Sequence, residues 1–498
     1  MVVGALALLM PACTLDKFPT DRIRLEEAFR TFEDATRYHN GLYNELRRNR
    51  YCIFTTTSEL MSDLFNARHG FGNRGGAVHR VGIELSGSAE ARDIWGNLYG
   101  SIAQVNFFLD GIAYVEGLTA VQDSLVRNMI ADAHYIRAFL YSELAAHFIY
   151  PLQNQTTTWN GHSVNTPELG LPLVDRYDVS ARPGRATIAE TFEFILRDLE
   201  AATAVTRLYG GPTQRRITLD AVHALKARVL FMMRDNVGAA HYANLLINSE
   251  RFPLVTTIPA LRTMFHNDNS PEDIFMLDAT TTSFGRRAIY NPTVAWTEVN
   301  MSIFTAFNTG LQAYTADFIP TQTVLDLYEA TDIRYTVFFS DTAVHRIDFA
   351  GRTPAIRMMY KFPGNPALGG MFRHRQRMHR IAEMYLIVAE AEQSVTRLNQ
   401  LRVARGASFL PTWDEQAMRD EWVREFIGEG FRIQSLRRWG IGFDGRVPQD
   451  RDAVHGYGDI AFTARHVTPA EISRFFTLPI PTNDLQTNPN MRQTPSWR

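Results

Sequence analysis

The sequence predicts a mainly α fold in which paired helices form a scaffold and a large, irregular, loop-rich insertion interrupts it. Three observations carry this prediction. Apolar residues recur at helical spacing over 22–47, 93–145, 187–250, 378–404 and 416–437. Helix-start signals sit at the head of two helices. The helical period is largely lost from 254 to 375, where Thr, Asn, Pro and aromatic residues accumulate. With 498 residues and a hydrophobic fraction of 45%, the chain has ample material for a sizeable core.

At the N-terminus, residues 1–12 read MVVGALALLMPA and carry no charge. They are shorter than the ~20 residues that a helix needs to span a bilayer. They read as the apolar region of a signal peptide, and Ala12 directly before Cys13 suits lipoprotein processing, so Cys13 is the expected lipidation site. Cys52 is the only other cysteine, which leaves no disulfide framework and no cysteine-based zinc site. Cys52 is expected to pack as a small buried hydrophobe.

The first helix, 22–47, places Ala28, Phe32, Ala35, Tyr38 and Leu42 at helical spacings. A glycine-rich stretch, 64–90, then breaks the pattern. Within it, Gly70-Phe71-Gly72-Asn73-Arg74-Gly75 spells a dinucleotide fingerprint. That motif requires a buried strand before it and a helix after it. Polar residues flank it here, so it reads as a flexible loop open to ligand. Periodicity resumes with Ile94, Leu98, Ile102, Val105, Phe108 and Leu109, then with Ile130, Ile136, Phe139, Leu140 and Leu144. Residues 151–168 are polar, contain Pro151 and Pro167, and form a loop.

Thr187-Ile188-Ala189-Glu190 is a capping box, followed by an apolar stripe of Ile188, Phe192, Ile195, Leu196 and Leu199. Residues 218–253 read as a helix, a turn at Asp235-Asn236, a second helix and a closing Pro253. This unit has the size of a tetratricopeptide repeat, roughly 34 residues. Ala224, Ala239 and Ala240 are small enough to let the two helices approach closely. The insertion carries short strand-like runs such as Tyr335-Thr336-Val337-Phe338-Phe339. Trp95 and Trp439 fall inside helical patterns and are assigned to packing. A second capping box, Thr468-Pro469-Ala470-Glu471, starts a short terminal helix with Pro at its first position. The expected divisions are a leader at 1–13, an N-terminal helical scaffold with loops at 14–253, the insertion at 254–375, and C-terminal helical repeats with a tail at 376–498.

Composition excludes several functions. The formal net charge of −2 gives no global basic field for nucleic acid. Glu421, Glu425 and Glu429 repeat every four residues, and paired carboxylates can hydrolyse glycosides when they flank the bond. Arg424, Arg432 and Arg438 interleave with them, which points instead to a salt-bridged surface or a repeat-contact face. The 14 histidines include no HExxH pattern, His374 and His379 sit in an arginine-dense run, and there is no GxSxG elbow. No catalytic residue, cofactor or metal site is expected.

The loop aromatics point to carbohydrate. A sugar ring offers an apolar face to an aromatic ring and a rim of hydroxyls to amides and charged groups. Trp159 and Asn160 lie in a polar loop. Phe284, Tyr290, Trp296 and Tyr314 are spread through the insertion beside Arg286, Arg287, Asn291 and Asn308. With Arg68 and Asn73 of the glycine loop, they are the expected ligand contacts, on a surface built from 66–76, 154–162 and 284–314.

Six segments, taken in order, resemble one family. They are DIWGNLYGSIAQVNFFL (Asp93–Leu109), ADAHYIRAFLYSEL (Ala131–Leu144), LGLPLV (Leu169–Val174), HRIAEMYLIVAEA (His379–Ala391), REFIGEGFRIQSLRRWG (Arg424–Gly440) and FTLPIPTNDLQTNPNMRQTP (Phe476–Pro495). Over nearly the whole chain, this succession resembles the SusD/RagB-like outer-membrane nutrient-binding lipoproteins. The resemblance implies a scaffold of tetratricopeptide-like helix pairs and a ligand site shaped by loops. It also implies a SusC-like TonB-dependent outer-membrane transporter as partner. The implied ligand is an oligosaccharide, with peptide as the alternative, and the implied location is the outer membrane, lipid-anchored and facing the exterior. A secreted hydrolase is the reading from another class, and no motif favours it. The chain departs from the family pattern at Ser394-Val395-Thr396, which alone separate two helical segments, so that helix pair is expected to be tightened or fused.

Overall fold

The computed structural model describes residues 25–50, 53–67, 76–81, 87–152, 162–207, 215–280, 305–308, 313–316, 318–340, 356–369, 373–451 and 466–498. Over these residues the chain is mainly helical. The first expected helix is broken once, between a turn at Leu25–Ala28 and α1 (Phe32–Arg50). The break arises because Thr31 and Asp34 cap each other. The Asp34 amide donates to Thr31 Oγ1 at 3.2 Å, and the Thr31 amide donates to the Asp34 carboxylate at 3.0 Å.

After α2 (Ile53–Met61) and β1 (Phe65–Ala67) comes α3 (Ala89–Gly111), capped by the Ser88 side chain. Helix α4 (Ala120–Phe148) starts on a Thr119–Gln122 capping box that the sequence reading missed. It is the central helix, packed by α1, α3 and the later α5 (Ile188–Ala202), with Tyr135, Ile136, Phe139, Leu140, Tyr141 and Leu144 fully buried. The Thr187–Glu190 box forms as the sequence predicts, with the Thr187 amide 2.8 Å from the Glu190 carboxylate and the Glu190 amide 3.0 Å from Thr187 Oγ1. Helices α6 (Leu219–Met232) and α7 (Asn236–Ile247) make the expected pair. Their turn is closed by Asp235, which accepts from the Gly238 amide at 2.9 Å. Ala224, Ala239 and Ala240 are buried where the two helices meet.

The insertion is less featureless than the lost period suggests. It contains α8 (Ile258–Asn267), capped by Thr257 and carrying Pro259 in its first turn, where the missing amide would have had no helical partner anyway. Short strands follow: β2 (Asp273–Met276), β3 (Thr305–Asn308), β4 (Ala313–Ala316) and β5 (Phe318–Pro320). The strand-like run at Tyr335–Phe339 is a correction, because α9 (Ile333–Phe338) occupies nearly all of it. Asp332 caps that helix through the Arg334 amide at 2.9 Å, and this local bond overrides the β propensity of Tyr, Val and Phe. Strands β6 (Phe339–Ser340), β7 (Met358–Met359) and β8 (Arg377–Arg380) complete the set. The strands pair only two by two, all antiparallel: β1 with β5, β2 with β8, β3 with β4 and β6 with β7.

Because β8 takes residues 377–380, the helix expected from 378 begins as α10 (Ile381–Glu392). Helix α11 (Val395–Ala404) follows after only two residues. The pair is tight but not fused: Gln393 adopts a left-handed φ of 50° and Ser394 caps the second helix. Helix α10 packs against α7 and α11, continuing the stack of helix pairs. Then come α12 (Glu415–Phe426), α13 (Arg432–Trp439) and α14 (Pro469–Phe475), the last on its predicted Thr468–Glu471 box. Trp95 and Trp439 are structural, and their indole groups donate to Asp484 and Glu390. One apolar cluster centres on α3, α4 and α5, and a second, rich in alanine, lies among α6, α7, α10 and α11.

Candidate functional site

The three acidic residues spaced by four do not form a surface. Glu421 and Glu425 are fully buried on α12, and Glu429 lies beyond its end, also buried. Their partners arrive from distant parts of the chain. Arg334 reaches Glu421 at 2.6 Å, Glu425 at 2.9 Å and Asp332 at 2.7 Å. Arg405 bridges Glu425 at 2.8 Å and Glu272 at 2.8 Å. Arg380 holds Glu425 and Glu429, and Lys361 reaches Glu429 at 2.7 Å. Of the interleaved arginines, only Arg424 pairs within this set, with Glu421; Arg432 pairs with Asp63, and Arg438 with Glu390.

This arrangement rules the carboxylates out as acid–base groups. Burial opposes their ionisation, but the surrounding guanidinium groups outweigh it. Glu421 is held down at about 2 by Arg334 and Arg424, and Glu429 at about 2 by Arg380 and Lys361. Glu425 lies well below the usual range, between Arg405, Arg380 and Arg334. A general acid working near neutrality needs the opposite shift. The network instead fastens the insertion, through Asp332, Arg334 and Lys361, onto the C-terminal helices.

One carboxylate moves the other way. Burial raises Glu59, on α2, to about 7, although the Gly428 and Gly430 amides donate to it at 3.1 and 2.7 Å. A folded value above the unfolded one means that the native state binds more protons between about pH 4.5 and 7, so this group's stabilisation is lost as pH rises through that window. The parent should therefore gain stability relative to Glu59→Gln on going from pH 7.5 to pH 5. Denaturant midpoints of both proteins at the two pH values measure it, and a constant difference would refute it.

The expected ligand surface is described at its roots. The ladder pairs Ala67 with Phe318, so the chain leaves β1 toward Arg68 where it returns into β5 from the β3–β4 hairpin. Tyr314 lies in β4, opposite Phe307. Just before β1, Asp63 is gripped by both nitrogens of an Arg432 fork, at 2.8 and 2.6 Å. Arg432 opens α13, an eight-residue helix of about 12 Å. Near its other end, the Arg438 carbonyl accepts from Arg234, which also donates to the Leu152 carbonyl at 2.9 Å. Leu152 is the last described residue before the Trp159 loop. The roots of the glycine loop, the Trp159 loop and the later part of the insertion thus converge on one short helix and one ladder.

Arg68, Asn73, Trp159, Asn160, Phe284, Tyr290 and Trp296 lie outside the described residues, as do Cys13, Cys52, Gly70–Gly75 and the side chain of Tyr314. Around the glycine motif there are, after all, a strand before it and a five-residue helix, Gly76–Arg80, after it. The strand is half of an antiparallel pair, not of the parallel unit that a dinucleotide site requires.

A cavity of about 70 Å³ lies between α4, α6, α10 and α13, next to Trp422, Phe431 and Arg228. Its two arginines are already paired, Arg228 with Glu383 at 2.6 Å and Arg438 with Glu390 at 2.7 Å. His374 pairs with Asp268, and His379 bonds Tyr135, both inside the protein. Among the described residues no cluster of three or more metal-ligating side chains occurs, and no helix is long and apolar enough to cross a membrane.

Helix pairs stacked into a scaffold are the architecture of the helical-repeat class. The family comparison agrees and is specific. The SusD family model matches residues 334–497, and a second model, described as starch-binding and associating with the outer membrane, matches residues 21–231. By these two matches the chain belongs to the SusD/RagB family. No match was found among curated protein sequences.

Solved structures show the same fold. A SusD superfamily protein of Bacteroides thetaiotaomicron superposes with a TM-score of 0.75 at 19% identity, covering 93% of this chain and 100% of its own. A putative sugar binding protein of Bacteroides vulgatus gives 0.72 at 20% identity, covering 95% and 100%. Surface glycan-binding protein A of Bacteroides fluxus gives 0.66 at 19% identity, covering 94% and 99%.

Proposed function

We propose that this chain is anchored to the outer membrane by lipid on Cys13, captures an oligosaccharide on its loops and delivers it to a SusC-like TonB-dependent transporter. The observation that carries the reading is the convergence of the loop roots on α13 and the β1–β5 ladder. Loops that leave a rigid frame close together are where binding usually sits. In this reading Trp159, Tyr290 and Trp296 stack on sugar, with Phe284 and Tyr314 as further rings. Asn160, Arg68 and Asn73 bond hydroxyls. The surface glycan-binding protein of Bacteroides fluxus, with the same fold, supports glycan over peptide.

The test is a binding screen of the chain lacking residues 1–13 against glycan and peptide libraries. Glycan binding without turnover is expected, and binding confined to peptides would overturn the reading. For delivery, the chain should co-purify with a transporter encoded beside it. Once a glycan is found, Trp159→Ala, Tyr290→Ala and Trp296→Ala should each weaken it about five- to tenfold, because stacking contributes on the order of 1 kcal/mol beyond burial. Calorimetry on variants with parental circular dichroism measures this, and three variants that bind like the parent would mean the site lies elsewhere. Cys13→Ala should move the protein from the membrane fraction to the soluble one, since a short apolar leader cannot hold it there. Persistent membrane association with the transporter absent would contradict the anchor.

A further inference from the structure

The described chain enters the fold at the last turn of α3. Leu25 is the first described residue, and four residues on, Phe29 packs on Phe107 at 5.5 Å and on Phe108 at 5.9 Å. Its ring also lies on Gly111, where a Cβ would stand 2.1 Å from it. The same end of the scaffold carries a concentration of exposed apolar side chains. Tyr114 closes the short turn Ile112–Tyr114 that continues α3. Val121 and Leu125 stand one above the other in the first turns of α4. Tyr177 and Val179 come from the chain that follows the LGLPLV segment. All five are exposed, Val121 by 71% and Val179 by 65%. Single apolar residues scattered over a surface are ordinary, whereas a concentration of them marks a contact.

The backbone beneath these side chains is held. The Thr119–Gln122 box fixes the start of α4. Asn106 donates to the Val174 carbonyl at 2.9 Å and to the Arg176 carbonyl at 3.3 Å, which lays 174–177 along α3. The Tyr177 amide then donates to Asp110 at 2.8 Å, and the Tyr177 ring meets Phe107 edge-on at 4.9 Å. Over 110–127 and 175–179 acids outnumber arginines, and Asp123 and Asp178 are already bonded, by Arg127 and Ser180. This end therefore offers rings and methyl groups, with no excess of positive charge for an anionic partner.

We propose that this end of the scaffold seats on the lipid surface, with Tyr114 and Tyr177 at headgroup level and Val121, Leu125 and Val179 dipping toward the acyl boundary. The inference rests on the lipid anchor proposed above. Leu25 follows Cys13 by 12 residues, so lipid on Cys13 is tethered within about 40 Å of the last turn of α3 even with the connecting chain fully extended. A tyrosine joins an apolar ring to a hydroxyl that stays wet, which is the chemistry of the membrane interface. The acyl chains hold the protein at the membrane, and the seat orients it. Helix α4 has 29 residues and is about 44 Å long. At its far end the Ala146 and Ile149 carbonyls accept from Arg437 of α13. Seating the near end therefore sets the tilt of α4, and with it the distance of the loop roots at α13 from the membrane.

The experiment uses the full acylated chain reconstituted in phosphatidylcholine vesicles, with no transporter present. An environment-sensitive fluorophore is attached at Val121→Cys or Val179→Cys, and as controls at Val237→Cys on α7 or Val403→Cys on α11, two other exposed positions. Each variant also carries Cys52→Ala, so that one thiol is labelled. Lipid bearing a nitroxide at its headgroup should quench the first two probes about twofold or more beyond the controls, and added salt should leave that difference unchanged, because the contact is apolar. Tyr114→Ser with Tyr177→Ser should lower the difference about twofold or more while the acyl chains keep the protein on the vesicles. Probes at 121 and 179 quenched no more than the controls, on protein that floats with the vesicles, would overturn the seat and leave the anchor standing. Probes shielded from water but beyond reach of the quencher would give the face to protein, either residues 14–24 or a second copy, and would also overturn it. Protein that does not float would overturn the anchor, and the seat with it. If circular dichroism shows that Cys52→Ala misfolds, hydrogen exchange on the unsubstituted acylated chain carries the test. Amides in 112–119 and 175–181 should then exchange more slowly on vesicles than in the chain lacking residues 1–13, and equal exchange would overturn the seat.

Discussion

Glu425→Ala should destabilise the protein by about 3–5 kcal/mol, the cost of removing one partner from a buried ion pair. Glu425 is fully buried and touches Arg334, Arg380 and Arg405. Without it, Arg334, Arg380 and Arg405 must share Asp332, Glu272, Glu421 and Glu429 with Lys361, Arg402 and Arg424, and part of the positive charge is left uncompensated in the interior. The loss should appear as a lower urea midpoint, or as failure to accumulate folded protein. Glu425→Gln should fall between variant and parent, because it keeps an acceptor and loses the charge. The pH dependence has a definite sign. Glu421 and Glu429 titrate at about 2 in the fold, below their unfolded values. Their stabilisation is therefore present above about pH 4.5 and is lost as pH falls toward 2. A midpoint unchanged in Glu425→Ala would mean that the network carries no stability.

Gly170→Ala should cost about 1–3 kcal/mol through overpacking. Gly170 belongs to the LGLPLV segment that runs against the start of α5. A Cβ there would stand 2.1 Å from the Thr187 carbonyl oxygen and 2.4 Å from Thr191 Oγ1. Neither neighbour can retreat cheaply. Thr187 is the cap of α5, Thr191 Oγ1 accepts from the Leu171 amide at 3.0 Å, and the Gly170 amide donates to Ala186 at 2.8 Å. Gly100→Ala in α3 is the control. It meets nothing within 4 Å, and alanine is the better helix former, so it should leave stability equal or raised. Equal midpoints for the Gly170 and Gly100 variants would show that the close approach is not real.

Much of the scaffold was legible because its causes are local. Two capping boxes read from Thr and Glu three residues apart formed as read, and the apolar stripes set the helices that bury them. The insertion was harder to read. Helix α8 has one short apolar face and begins at Ile258-Pro259, which looks like a break until Thr257 is seen as its cap. The run Tyr335–Phe339 has strand-forming residues, yet Asp332 and the buried Arg334 fix it as a helix. The ligand residues named from sequence remain a proposal. The structure brings together the roots of the glycine loop, of the Trp159 loop and of β5, which composition alone could not do. The Arg216–Asn40 hydrogen bond had no sequence signal, since its two partners lie 176 residues apart.

The sequence by itself determined the helical class, the places where capped helices begin, the family and the absence of catalytic motifs. All of these depend on periodicity, on spacings of a few residues, or on the order of segments along the chain. Tertiary structure alone decided where charge is buried. The three glutamates that read as a salt-bridged surface or a repeat-contact face are ion-paired but buried, because arginines from 334, 380 and 405 meet them there. A charged side chain enters the interior only when its partners arrive with it, and those partners are set by the packing of distant elements, which local spacing does not encode.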